Sequence, residues 1–161
     1  MLNKTGVPTK EQILSRFPER AVLKKPKAII ECYEEIPCNP CSTSCPFDAI
    51  HIGEDINTKP VVNFDKCTGC GICVFNCPGL AIVVASDVKE RTQFKIAYEF
   101  NPKPKVNEVW HGVNRDGEII CDALIEKVML TDKNDKTALI TVSVEQQYMY
   151  DFVTIRGKSN G

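Results

Sequence analysis

Eight of the chain's nine cysteines fall between Cys32 and Cys77, and that crowding limits what the segment can fold into. A cysteine-rich stretch of this size cannot bury a large core, so cross-links must supply much of its stability. Disulfides suit a small exported chain, yet the cysteine count is odd and "MLNKTGVPTK" has no apolar signal core. The repeated C-x2-C steps point to metal instead. Metal–sulfur bonds would then replace the missing hydrophobic stabilisation.

The spacing narrows the metal. "CTGCGICVFNCP" sets Cys67, Cys70, Cys73, Cys77 and Pro78 as C-x2-C-x2-C-x3-C-P. Three thiolates on one tight loop suit three corners of an iron–sulfur cubane, while the fourth turns away into a helix toward a second cluster. Gly69 and Gly71 let the backbone wrap closely and aim amides at sulfur, and Pro78 suits a helix start. The earlier run "CYEEIPCNPCSTSCP" keeps only Cys38, Cys41, Cys45 and Pro46 of this spacing. Glu35 stands where the first cysteine is due, and Cys32 lies three residues earlier. Several readings follow. Cys32 is a buried strand cysteine of "KAIIECY"; Glu35 ligates through oxygen; three thiolates hold an open or three-iron site; or the pairs hold zinc. Eight cysteines make two sets of four, and a loop bent at Pro37 returns Cys32 toward Cys38. An extra loop with a displaced ligand is the reading adopted.

Residues 1–27 read as a lead-in, with a short helix in "TKEQILSRF" capped by Thr9 and Gln12 and stopped by Pro18. "KKPK" (24–27) reads as a solvated linker. From Ala28 to Ser86 the chain repeats: "KAIIECYEE" and "CPFDAIHIG" are matched by "KPVVNFDKC" and "CPGLAIVVAS". Each half is expected as strand, metal loop, short helix after Cys-Pro, and strand. Residues 87–105, ending in "FNPKPK", are expected as a linker, and 106–161 as a β-rich docking domain. There "TALITVSV" puts Ala138, Ile140, Val142 and Val144 on one strand face. "EIICDALIEKVML" is taken as a strand, "VEQQYMYDF" as a final helix and "VTIR" as a closing strand. Cys121 and Trp110 are assigned to packing, and His51 and His111 have no ligand-like companion.

At Cys67–Pro78 and its partial copy the sequence resembles the bacterial two-cluster ferredoxins, over roughly Ala28 to Ser86. That resemblance implies an α+β fold: a pseudo-twofold dicluster ferredoxin core (28–86) followed by a small β-rich C-terminal domain. It also implies two 4Fe–4S clusters. Cluster I takes Cys32, Cys38, Cys41 and Cys77, and cluster II takes Cys45, Cys67, Cys70 and Cys73. Together "CYEEIPCNPC", "CTGCGICVFNCPGLAI" and "GEIICDALIEKV" with "KTALITVSV" are also similar to iron–sulfur subunits of heteromeric FAD-dependent dehydrogenases. Those act on proline, hydroxyproline or opine-type amines. The implied partner is an FAD- or FMN-containing dehydrogenase subunit in a hetero-oligomer.

No Ser/His/Asp set, phosphate loop or dinucleotide fingerprint is present in the sequence, so no catalytic residue is assigned. The chain is read as a non-catalytic electron-transfer subunit of an oxidoreductase. A formal charge of -1 without a basic stripe gives no reason to expect nucleic acid. "LAIVVA" is too short to cross a bilayer, and a cytoplasmic location is expected. Two other classes compete: a free ferredoxin-type shuttle, and a structural or assembly module stapled by its clusters.

Overall fold

A computed structural model describes residues 8–32, 40–54, 59–77, 81–88, 90–98, 103–131 and 134–157. Helix α1 (Lys10–Arg16) begins with the expected capping box. The Thr9 hydroxyl accepts from the Gln12 N–H at 3.2 Å, and the Gln12 side chain accepts from the Thr9 N–H at 2.8 Å. Two amides otherwise orphaned at the helix start are thereby satisfied. The helix ends before Phe17, whose extended backbone is what a following proline imposes. A 3-10 turn (Arg20–Lys24) then buries Leu23 completely.

Among the described residues, seven strands join in one antiparallel sheet. In spatial order they are β1 (Lys27–Ile30), β4 (Ile82–Val88), β5 (Arg91–Tyr98), β8 (Asn134–Glu145), β7 (Ile119–Thr131), β6 (Val109–Val113) and β9 (Thr154–Arg156). A two-stranded ribbon pairs β2 (Ile50–His51) with β3 (Val61–Val62). The internal repeat is legible in these pairings. The first strand of the first half pairs with the last strand of the second (β1–β4), and the last strand of the first with the first strand of the second (β2–β3).

Strand periodicity then places two cores on opposite faces of the sheet, because alternate side chains point to opposite sides. Ile29, Ala85, Phe94, Ile96, Ile140, Val142 and Val144 face a large core with Trp110, Met149 and Phe152. Their strand neighbours Ala28, Ile30, Ile82, Val84 and Leu139 face a second core with Cys41, Cys67, Cys73 and Val74. Helices α2 (Pro40–Ser44) and α3 (Ile72–Asn76) carry two of those cysteines. All four residues of β1 are accordingly buried.

Several expectations are corrected by this architecture. The boundary expected at Ser86 falls inside β4, and the expected linker 87–105 contains β5, which is hydrogen-bonded on both edges. In the first half no helix follows Cys45-Pro46, and α2 instead ends before Cys45; α3 likewise ends before Cys77. Pro78, expected to start a helix, lies outside the described residues. "VEQQYMYDF" forms only a 3-10 turn (Gln146–Tyr148) before β9, whereas "EIICDALIEKVML" is the strand β7. Cys121 is half-buried beside Gly112, where a Cβ would stand 2.4 Å from its sulfur.

Candidate metal centre

The loop from Cys67 to α3 owes its shape to two glycines. Gly69 and Gly71 have φ of +73° and +87°, a region that side chains disfavour. Gly69 is also pressed against Pro26, with a hypothetical Cβ only 2.6 Å from the Pro26 carbonyl oxygen. Gly71 caps α3, so the chain turns into the helix with Cys73 on its buried side. The result is a small, partly enclosed pocket. Cys45, Cys67, Cys70 and Cys73 line it together, with Gly69, Gly71 and Phe47 on its walls. Cys67 and Cys73 are buried and Cys70 is exposed.

Backbone amides point at the sulfurs. The Ala28 N–H donates to Cys67 Sγ at 3.2 Å. The two halves of the repeat share a further bond, from the residue four positions after each Cys-Pro cysteine. Ala49 N–H donates to Cys45 Sγ and Ala81 N–H to Cys77 Sγ, both at 3.4 Å. The Cys73 thiol is pushed up to about 12 by burial and then by its neighbours Cys67, Cys70, Cys45 and Cys41.

The other expected ligands divide by what is described. Cys41 is buried on α2, and Cys32 and Cys77 pack half-buried against the same cysteine-bearing core. Cys38, Glu35 and Pro37 lie outside the described residues. Two arginines brace the chain around Cys32. Arg16 donates to the Cys32 carbonyl at 2.9 Å and to the Pro60 carbonyl at 3.1 Å. Arg115, from the β6–β7 turn, pairs with the Glu31 carboxylate and donates to the Tyr150 carbonyl. His51 is exposed and His111 half-buried.

Residue-by-residue reading of the sequence missed two lysines. Lys27, assigned to a solvated linker, is buried, and its ammonium donates to the Cys67 carbonyl at 2.7 Å. Lys95, in the supposed linker, donates to the Gly69 carbonyl at 2.9 Å. The strand period of "KAII" was the available signal, since it begins at Lys27.

This donor set fits a polynuclear iron–sulfur group. Among the described residues no three His, Cys, Asp or Glu side chains converge as ligands of one ion would. Zinc needs four donors near 2.3 Å from one centre, whereas here four thiols ring a cavity. A cluster with four thiolates carries about -2 of charge, which suits thiol sulfurs served by amides and two ammoniums.

Comparison with known proteins agrees. Residues 36–102 match the 4Fe-4S dicluster domain family. The ferredoxin-type protein NapF of Haemophilus influenzae is 42% identical over 57 residues, 34% of this chain and 32% of that protein. One component of the Na(+)-translocating ferredoxin:NAD(+) oxidoreductase complex of Acetobacterium woodii is 46% identical over 50 residues, 31% of this chain and 14% of that protein. A sulfite dehydrogenase subunit of Allochromatium vinosum is 37% identical over 65 residues, 40% of this chain and 25% of that protein. The chain thus spans about a third or less of the length of these relatives. No solved structure matches it significantly. No helix among the described residues is long and apolar enough to cross a membrane. Residues 36–102 are thus similar to 4Fe-4S dicluster domains and to ferredoxin-type proteins.

Proposed function

We propose that the chain is an electron-transfer subunit with two 4Fe–4S clusters, exchanging single electrons with an FAD- or FMN-containing dehydrogenase subunit. Cluster I would be held by Cys32, Cys38, Cys41 and Cys77, and cluster II by Cys45, Cys67, Cys70 and Cys73. The observation that carries this reading is the cavity ringed by the four thiols of the second set. When bound, a group of this kind takes up and releases one electron at a time. The chain's residues hold it, exclude water with Cys67, Cys73 and Val74, and supply amide hydrogen bonds to sulfur. Four thiolates leave no ligand position for a substrate, so bond chemistry falls to a partner.

Two of the relatives are named as subunits of an oxidoreductase complex and of a dehydrogenase, which favours a docked role over a free shuttle. The resemblance of the cysteine runs and of the β7–β8 segment to flavin-dependent dehydrogenase subunits supplies the partner class. The test is a tagged pull-down from native cells, followed by metal analysis and rapid mixing. We expect about eight iron atoms and eight labile sulfides per chain. Proline, hydroxyproline or an opine-type amine should reduce the flavin first and the iron–sulfur absorbance next. Flavin reduction with no change at the clusters refutes the relay. Stoichiometric zinc without sulfide refutes the centre itself.

A further inference from the structure

Lys27 and Lys95 approach the Cys67–Cys73 loop from two different strands, and neither has an acidic partner among the described residues. Lys27 is only 9% exposed, and among the described residues its ammonium bonds to the Cys67 carbonyl alone. Lys95 is half-buried, with its ammonium on the Gly69 carbonyl. The ion pairs of the described residues, Arg20–Asp87 and Arg115–Glu31, involve neither lysine. A buried ammonium is strongly unfavourable unless an opposing charge faces it. The described protein offers carbonyl oxygens only. A centre of about -2 on the four adjacent thiolates would supply the opposing charge.

We propose that Lys27 and Lys95 are positioning cations that raise the reduction potential of the second centre, so that electrons come to rest there. This rests on the reading that Cys45, Cys67, Cys70 and Cys73 hold a 4Fe–4S cluster. Reduction adds one electron, breaks no bond, and deepens a negative charge beside two fixed positive ones. Because both lysines sit on strands of the central sheet, their charges cannot drift away as a loop's could.

The test uses the full chain, reconstituted anaerobically with iron and sulfide, in Lys27→Met, Lys95→Met and Lys27→Arg forms. Each is titrated with dithionite as the electron source while both centres are followed by EPR. Cys32→Ser, which alters only the first centre, identifies the signals. Each methionine variant should lower the second centre's potential enough to cut its reduced-to-oxidised ratio at least tenfold at fixed ambient potential. That is about 59 mV for a one-electron couple. Lys27→Arg, which keeps the charge, should stay near the parent, and the first centre should shift far less. If Lys27→Met fails to load, Lys95→Met still decides the matter. Full loading with an unmoved second potential in Lys95→Met overturns the proposal, as does an equal shift at both centres. A parent protein that takes up no sulfide overturns the underlying cluster reading instead.

Discussion

Three glycines with nearly the same backbone but different surroundings allow the cluster loop to be tested against a matched control. Gly69, Gly71 and Gly117 have φ of +73°, +87° and +84°. Alanine in this region costs about 1–2 kcal/mol at each. At Gly117 an added Cβ meets nothing within 4 Å, so Gly117→Ala carries the backbone cost alone. At Gly71 it meets the tip of Leu139 at 3.0 Å, a flexible end that can yield. At Gly69 it would lie 2.5 Å from Pro26 Cβ and 2.6 Å from the Pro26 carbonyl oxygen. A proline ring and a main-chain carbonyl cannot swing aside, so the loop must lift from β1. Lifting breaks the Lys27 bond to the Cys67 carbonyl and the Ala28 amide bond to Cys67 Sγ. With a charged and a neutral hydrogen bond lost, the expected cost is about 3–6 kcal/mol. For a chain of this size each kcal/mol moves Tm by about 2–4 °C. Gly117→Ala should therefore lower Tm by about 2–8 °C with full sulfide, and Gly69→Ala by at least about 6 °C with sulfide lost. Anaerobic circular dichroism melts and labile-sulfide assays measure both. A Gly69→Ala protein that loads fully and melts with Gly117→Ala would show that the loop does not depend on this close approach.

Other consequences are equally direct. Cys32→Ser should convert or abolish the first centre's EPR signal while Cys121→Ser leaves both centres intact; an unchanged signal in Cys32→Ser makes Cys32 a packing residue. Burial, reinforced by Asp122 and Glu145 against Arg91, pushes the Cys121 thiol up to about 11 from an ordinary 9.0. The protonated thiol thus contributes stability that is complete below pH 9 and lost as pH rises through about 11. Iodoacetamide labelling read by mass spectrometry should be slow at Cys121 at pH 8 and climb toward pH 11, and a free-thiol rate at pH 8 would contradict this. Arg115→Ala strands the Glu31 carboxylate and the Tyr150 carbonyl, so a loss of about 1.5–3 kcal/mol is expected in thermal melts, with Glu31→Gln milder. Truncation after Ser86 removes β5, Lys95 and Leu139 from the cysteine-bearing layer, and the fragment should load less iron than the full chain; complete loading would show that the cysteine half folds alone.

What could be read from the sequence was local. The Cys67–Cys77 spacing, the Thr9–Gln12 cap and the alternation at 138–144 each describe a bond or a face decided within a dozen residues. The unread features are long-range. Lys27 and Cys67 are separated by 40 positions, and nothing in "KKPK" announces a buried ammonium. Strand β5 carries its own alternation in Thr92, Phe94, Ile96 and Tyr98, all buried. Interleaved Arg91, Gln93 and Lys95 and the following "FNPKPK" gave it the polarity of a linker. The apolar run 82–85 hides its period for a different reason: β4 is covered on both faces there, so alternation leaves no polar trace.

The expected division into a cluster domain and a docking domain treats the cysteines and the β-rich tail as separate bodies. The strands argue for another relation. β1, β4 and β8 each send alternate side chains to the aromatic core and to the cysteine layer, so neither face can be repacked without moving the other. β5 adds Phe94 and Ile96 to one face and the Lys95 ammonium to the other. The N-terminal helix reaches the same structure through Arg16, which ties the Cys32 carbonyl to the Pro60 carbonyl across the two halves of the repeat. Arg115, in the β6–β7 turn, joins Glu31 at the end of β1 to the Tyr150 carbonyl. Segments that look appended in the sequence therefore act first as the frame that sets the metal loops against a rigid sheet. Their outer surface is backed by strands that also pack against the cysteine layer.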